Sequence, residues 1–217
     1  MDQDNAGEIR QELCKYARKI VENGLVVGPG GNISARAGDK MYLSPSGFAL
    51  EEIEPEQWIE VDIPTGQVTD SGLRPSSEVL MHLYGYRQKP DIGAMVHTHP
   101  PNCIAFTLIE RELPIMFPDQ AALVGRTAYI PYLIPTTDLL ADAVAAKVGE
   151  ASSKLRKSTV FRTSRSKSAA ICIGTRRGCC RKSKTGFAKL FRPASNRKAA
   201  VSIPGASISD SLTKTAS

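Results

Sequence analysis

The sequence is poor in several residue types that mark common classes of protein. It has three histidines and one tryptophan, Trp58, and its five cysteines form no CxxC pair. No apolar run approaches the roughly 20 residues that a membrane-spanning helix needs. The N-terminal stretch "MDQDNAGEIR" is polar and acidic, so no signal peptide is visible in it. We therefore expect a reduced, cytoplasmic protein with no membrane partner.

Acidic residues are almost missing from the C-terminal part of the chain. Residues 1–150 contain 12 Lys and Arg against 21 Asp and Glu, whereas residues 151–217 contain 16 against one, Asp210. The second part is rich in Ser, Lys and Arg, and it shows no sustained period of 2 or 3.6. The sequence thus predicts a domain over 1–150 and a basic tail over 151–217.

Hydrophobic periodicity in residues 1–150 alternates between the patterns of helices and strands. Helical patterns cover 7–23, 74–90, 100–114 and 136–150, and strand patterns cover 33–35, 41–43, 58–63 and 91–96. Short turns at 37–40 and 64–66 favour antiparallel pairing of the neighbouring strands. The pattern predicts a layered α/β domain with a partly antiparallel sheet.

The stretch "MVHTHP" at 95–100 places two histidines at the end of a buried strand. Because alternate residues of a strand point to the same side, His97 and His99 are expected to face one point. Two neutral imidazoles suit zinc or a similar divalent ion, although the HxH pattern alone also fits a pair of surface histidines. His82 is expected to be a helix residue near the core and not a ligand.

Three short segments combine small residues with exposed backbone. They are "GPGGNIS" at 28–34, "SPSG" at 44–47 and "RPSSE" at 74–78. Each offers backbone N–H groups and small hydroxyl or amide side chains, which are the groups that bind phosphate or carboxylate. Each segment alone fits an ordinary turn or helix cap, but three of them in one domain predict a pocket for an anionic substrate.

Four motifs together resemble the class II aldolase/adducin family. "GPGGNISAR", "YLSPSG", "RPSSEVLMHLYGYR" and "MVHTHPPNCIAF" occur in the order and approximate spacing of that family, and the likeness runs through about residues 8–150. The resemblance implies a three-layer α/β/α sandwich around a largely antiparallel sheet. It also implies an enzyme, commonly a homotetramer, that acts on a small phosphorylated sugar such as L-fuculose 1-phosphate.

The resemblance also implies roles for particular residues. The substrate and phosphate would be bound by six of them: Gly31, Asn32, Ser46, Gly47, Ser76 and Ser77. Glu78 matches the family's acid/base glutamate, and His97 and His99 match two of its three zinc-binding histidines. The metal set is expected to be His97, His99 and Glu78, holding Zn²⁺ or another divalent cation. Epimerase, dehydratase and decarboxylase chemistry share these sites in the family, and an adducin-like assembly domain without catalysis is the remaining alternative.

The sequence departs from the family after residue 150. The third zinc-binding histidine of the family is missing, because no histidine follows His99 in this chain. The stretch that would carry a catalytic tyrosine reads "IMFPDQAAL" and has none, and neither Tyr129 nor Tyr132 replaces it. We expect the missing histidine to weaken metal binding and impair activity.

One cause would explain both the missing histidine and the change in composition. We hypothesise a shifted reading frame from about Ser152, which the coding DNA across codons 145–217 would reveal. The competing interpretations are a basic tail that binds nucleic acid or an acidic membrane surface, and a disordered extension without a role. The tail shows no RNA-binding signature and little aromatic content, which argues against nucleic acid as a partner.

Overall fold

The fold is built on one antiparallel sheet. The computed structural model describes residues 3–69, 71–107, 114–121, 127–150, 160–161 and 170–175. Within these ranges the strands lie in the order β3-β2-β1-β4-β6-β5, and every neighbouring pair is antiparallel. The strands are β1 (Asn32–Ala37), β2 (Lys40–Leu43), β3 (Ile59–Asp62), β4 (Ile92–Thr98), β5 (Val160–Phe161) and β6 (Ala170–Thr175).

Helices lie where the sequence periodicity predicts them. They are α1 (Gln3–Glu22), α2 (Val79–Gln88), α3 (Pro101–Thr107) and α4 (Asp138–Glu150), with short 3-10 turns at Leu50–Glu52 and Pro55–Gln57. In α1 the apolar residues recur every three or four positions, so they form one buried face. None of the helices in the described ranges has the length and apolar character that a bilayer crossing requires.

Two apolar clusters cover the two faces of the sheet. On one face α2 and α4 pack against the strands through buried side chains such as Met81, Tyr86 and Val144. On the other face α1 and the segment around Trp58 form the second cluster. A helical layer on each side of a central antiparallel sheet confirms the expected three-layer α/β fold.

Strands β5 and β6 come from the segment that the sequence analysis assigns to the tail. Strand β6 pairs with β4 along its length, and Ile171 lies opposite His97 in the register. Most of residues 151–217 lie outside the described residues. The domain boundary at residue 150 and the basic tail therefore stay predictions.

Candidate active site

The glycine-rich loop reaches the end of β4 because β1 and β4 are neighbours. Their antiparallel register pairs Asn32 with His97. The backbone N–H of His99 donates to the carbonyl of Leu25 at 2.8 Å, which holds the loop against the end of β4. Gly31, which precedes the strand, has a φ of 72°. A non-glycine residue rarely adopts this left-handed conformation.

The two serine-containing turns meet through an isolated bridge between Pro45 and Pro75. The backbone N–H of Ser46 donates to Arg74 O at 2.9 Å, and that of Ser76 donates to Ser44 O at 3.0 Å. These two amides are therefore bonded within the protein. An anion at this place would depend on the serine hydroxyls and on other backbone amides, which refines the expectation from sequence.

One cavity of about 350 Å³ lies where these segments converge. Its walls include the glycine-rich loop, the turn at 44–47, the start of α2 and the end of β4. The structure brings all nine site residues that were predicted from sequence to this cavity: Gly31, Asn32, Ser46, Gly47, Ser76, Ser77, Glu78, His97 and His99. Residues separated by up to 68 positions in the chain thus share one pocket.

The two imidazoles converge as the strand geometry predicts. The Nε2 atoms of His97 and His99 lie 3.1 Å apart, and the ring centroids lie 5.0 Å apart. His97 is only 4% exposed. Two ring nitrogens at this separation share either a proton or a cation, because two lone pairs facing each other would repel.

Glu78 lies on the other side of the His97 ring. Its Oε2 is in close contact with Nδ1 of His97 and accepts a hydrogen bond from Nδ2 of Asn32 at 3.3 Å. Burial alone would raise the pKa of Glu78, but the charge and hydrogen bonds of its neighbours outweigh it and hold the pKa at about 2. Glu78 is therefore a carboxylate at neutral pH, the form that can accept a proton.

Comparison with known proteins gives the chain a family. The family model for the Class II Aldolase and Adducin N-terminal domain matches residues 11–161, which is well over half of the chain.

The chain belongs to the class II aldolase/adducin family.

Curated relatives and solved structures agree with this membership. An L-fuculose phosphate aldolase from Methanococcus maripaludis is 35% identical over 121 residues, covering 56% of this chain and 66% of that protein. A 5-deoxy-D-ribulose 1-phosphate aldolase from Bacillus thuringiensis is 37% identical over 136 residues, covering 62% and 63%. The solved structure of an L-fuculose 1-phosphate aldolase is 28% identical with a TM-score of 0.66, covering 80% of this chain and 76% of that one.

These relatives confirm the resemblance and the fold that the motifs imply. The two curated relatives are named as aldolases. The matched regions span just under two thirds of the two curated relatives. The family is generally dependent on a divalent metal.

The donor set in the cavity fits a divalent cation in part. Two nitrogens that each bind zinc at about 2.0–2.1 Å lie about 3.3 Å apart in a tetrahedral site, close to the 3.1 Å between the Nε2 atoms of His97 and His99. The contact with Glu78 places a hydrogen-bond acceptor beside Nδ1 of His97, which favours the neutral tautomer with a free lone pair on Nε2. The imidazole pair is therefore suited to a metal.

The third donor is not in place among the described residues. Across these ranges no group of three or more His, Cys, Asp or Glu side chains is arranged to hold a metal ion. Glu78 contacts Nδ1 of His97 and not the Nε2 atoms that face each other. A direct bond from Glu78 to the metal, predicted from the resemblance, would therefore need its carboxylate to leave Nδ1, and that role stays a prediction.

The described walls of the cavity include the carboxylate of Glu78 and the imidazoles of His97 and His99, but neither Lys nor Arg. A phosphorylated ligand would therefore need a positive charge from another source, because two anionic groups in a partly buried site repel strongly. A divalent cation at the imidazole pair would supply that charge.

Sequence reasoning missed a buried polar group behind the cavity. His82 is fully buried in α2, as expected for a helix residue near the core. Its Nε2, however, lies 2.6 Å from Oδ1 of Asn32, and its Nδ1 lies 2.7 Å from Oγ of Ser34. Asn32 and Ser34 are two residues apart and lie on the same face of β1. Two polar residues on one face of this strand are a weak sign that a polar side chain of α2 packs against it.

Proposed function

We propose that this chain is a zinc-dependent aldolase that cleaves a small phosphorylated sugar, such as L-fuculose 1-phosphate, to dihydroxyacetone phosphate and an aldehyde. The observation that carries the proposal is the convergence of an imidazole pair, a buried carboxylate and three turns rich in small polar residues on one cavity. The relatives support it, because those named above are aldolases of ketose 1-phosphates.

His97 and His99 would hold Zn²⁺ or another divalent cation, with Glu78 as the predicted third group. When bound, the cation supplies a Lewis acid that polarises the carbonyl and hydroxyl oxygens of the substrate and offsets the phosphate charge. We expect weaker binding than in a site with three histidines, because catalytic zinc sites normally have three protein ligands. Impaired activity of this chain follows from that weaker binding.

The phosphate would lie against the two serine-containing turns. Ser46 and Ser77 are exposed to the cavity, and Ser76 lies behind them. Their hydroxyl groups can donate to phosphate oxygens, as can the side-chain amide of Asn32 and the backbone at Gly31 and Gly47. Backbone N–H groups in such turns contribute to anion binding, and the predicted cation would supply the positive charge that neither Lys nor Arg provides in the described lining.

Glu78 would carry the proton in the cleavage step. Its carboxylate accepts the proton of the substrate hydroxyl on one side of the C–C bond. The electron pair of that bond then passes to the ketone half as the aldehyde forms. Glu78 returns the proton to the carbon of the ketone half, which gives dihydroxyacetone phosphate and leaves the carboxylate as it began.

The missing third histidine favours a second candidate, an adducin-like domain that assembles with partners and does not catalyse. Several apolar side chains between residues 115 and 139 are exposed, including Met116, Phe117 and Ile134. The predicted homotetramer would cover such side chains in either candidate. Oligomerisation therefore does not separate the two, and catalysis does.

The test uses the purified full chain, stripped of metal and then loaded with Zn²⁺. Dihydroxyacetone phosphate formed from L-fuculose 1-phosphate is measured by coupled NADH oxidation. We expect slow formation that requires the metal, with a loss of about 10²-fold or more in Glu78→Gln. Glu56→Gln, an exposed acid outside the cavity, is the matched control. No product from any ketose 1-phosphate with any divalent metal would overturn the aldolase and leave the assembly domain or another reaction of the family.

A further inference from the structure

A chain of buried hydrogen bonds runs from the interior to the wall of the cavity. Tyr86 Oη lies 2.8 Å from Oγ of Ser34, which lies 2.7 Å from Nδ1 of His82. Nε2 of His82 lies 2.6 Å from Oδ1 of Asn32. Nδ2 of Asn32 then donates to Oε2 of Glu78 at 3.3 Å. His82 does not line the cavity, yet it is bonded to a residue that does.

The inner end of this chain has one consistent arrangement of protons. The carbonyl oxygen of Asn32 only accepts, so Nε2 of His82 must carry the hydrogen. Burial lowers the pKa of the His82 imidazole to about 3, so the ring is neutral and its Nδ1 accepts. The Ser34 hydroxyl therefore donates to Nδ1, and the Tyr86 hydroxyl donates to Ser34.

The outer end requires the same orientation of Asn32. The carboxylate of Glu78 only accepts, so Asn32 must turn its NH₂ group toward it. A flipped Asn32 would face its oxygen against this carboxylate and its NH₂ group against the Nε2–H of His82. Both contacts would be repulsive in a site where Asn32 is only 6% exposed and water cannot compensate.

We propose that His82 is a positioning residue, which fixes the Asn32 amide so that its NH₂ group faces the proton-carrying carboxylate. Ser34 holds the ring from the other side, so the imidazole cannot turn to release Asn32. The same NH₂ group lies 3.4 Å from Nδ1 of His97, and the orientation therefore also shapes the contact between Glu78 and His97. The catalytic consequence rests on the proposed function, but the orientation of Asn32 does not.

Two variants of similar size separate the two hydrogen bonds of His82. In His82→Gln the side-chain NH₂ group reaches about the place of Nε2 and can still donate to Asn32. In His82→Asn the side chain reaches about the place of Nδ1, so it contacts Ser34 but leaves Asn32 without a donor. A role limited to filling space predicts equal effects, whereas positioning predicts that only the second variant releases Asn32.

The first readout is NMR and needs no catalysis. Long-range ¹H–¹⁵N spectra of the wild-type chain at neutral pH should show His82 as the neutral Nε2–H tautomer. A protonated ring or the Nδ1–H tautomer overturns the proposal, even if neither variant folds. The side-chain amide of Asn32, assigned with Asn32→Ser, should exchange with solvent at least about tenfold faster in His82→Asn than in His82→Gln. Equal exchange in the two variants also overturns it.

The second readout is the aldolase assay with metal-loaded protein. We expect kcat to fall about tenfold or more in His82→Asn, whereas His82→Gln should keep most of the wild-type kcat. In both variants KM for L-fuculose 1-phosphate should change less than kcat. Equal losses in the two variants contradict a positioning role. If the wild-type chain makes no dihydroxyacetone phosphate, the proposed function fails, and the tautomer and amide exchange still decide the role of His82.

Discussion

Gly31 lies directly against the carbonyl oxygen of His97. A Cβ atom at Gly31 would lie 2.7 Å from this oxygen and 2.6 Å from Cγ1 of Val26, distances that real Cβ atoms do not tolerate. The backbone of the glycine-rich loop thus approaches β4, the strand that bears His97, as closely as a residue without a side chain allows. This contact sets the wall of the cavity beside Asn32.

Gly31→Ala should destabilise the fold and displace this wall. The left-handed φ costs about 1–2 kcal/mol for a residue with a Cβ, and forced overpacking adds about 1–3 kcal/mol. We expect the free energy of unfolding, measured with urea, to fall by about 2 kcal/mol or more. Gly28→Ala is the matched control, because Gly28 also has a positive φ of 59° but has open space around it. An equal cost in both variants would mean that the close approach is unimportant.

His97→Ala and His99→Ala should each weaken zinc binding by at least about tenfold, because each removes one of the two imidazoles that face a common point. Affinity is measured by competition with a chromophoric chelator on the folded chain. Glu56→Gln should bind zinc as the unchanged chain does. Unchanged affinity in both histidine variants would show that the cation binds elsewhere.

The stability of the fold should depend on pH through His82. Burial, helped by a charge on His97 and opposed by the carboxylate of Glu78, lowers the pKa of His82 from 6.5 to about 3. Below pH 6.5 the unfolded chain binds a proton that the folded chain does not. The free energy of unfolding therefore falls by up to about 1.4 kcal/mol per pH unit as the pH drops from 6.5 toward 3.

The difference in slope between the wild-type chain and His82→Gln between pH 6.5 and 4.5 isolates this effect. The lowered pKa of Glu78, about 2 against 4.5, removes stability only below pH 4.5. Urea unfolding of the wild-type chain and His82→Gln across this range gives the two slopes. The slope of unfolding free energy against pH should be steeper in the wild-type chain by about 1.4 kcal/mol per pH unit, which corresponds to one proton. Parallel slopes would refute a neutral buried His82 in the folded chain.

Leu140→Ala should cost about 2–5 kcal/mol of unfolding free energy, as is typical for a buried leucine. Leu140 is 5% exposed in the cluster between α4 and the sheet, whereas its neighbour Leu139 is 66% exposed. Leu139→Ala should therefore change stability little. Similar costs in the two variants, measured by urea unfolding, would mean that α4 presents a different face to the sheet.

Much of the fold could be predicted because local patterns determine it. The helical period of α1 and the alternation in β3 are strong, the start and end signals of α2 and α4 mark those helices, and the tight turns favour antiparallel neighbours. Strand β6 was not predicted, because a six-residue apolar run within a basic segment shows no period of its own. Its pairing with β4 depends on tertiary contact and not on local propensity.

Most residues of the candidate site could be predicted only through the resemblance to the family. The spacing of His97 and His99 is enough to predict that their side chains converge. It does not predict that Glu78 or the turns lie next to them. The hydrogen bonds of His82 join residues about 50 positions apart in the chain, so no local pattern marks them. The backbone N–H groups of Ser46 and Ser76 are hydrogen-bonded within the protein, and these bonds likewise depend on the bridge between Pro45 and Pro75.

The pairing of β4 with β6 has a consequence for any chain cut at residue 150. All seven residues of β4 are buried, and β6 covers the hydrogen-bonding side that β1 leaves open. Without β6, β4 would become an exposed apolar edge strand whose backbone N–H and C=O groups lack partners on one side. Such an edge promotes edge-to-edge pairing between molecules. Such a fragment should precipitate or polymerise before its chemistry could be assayed.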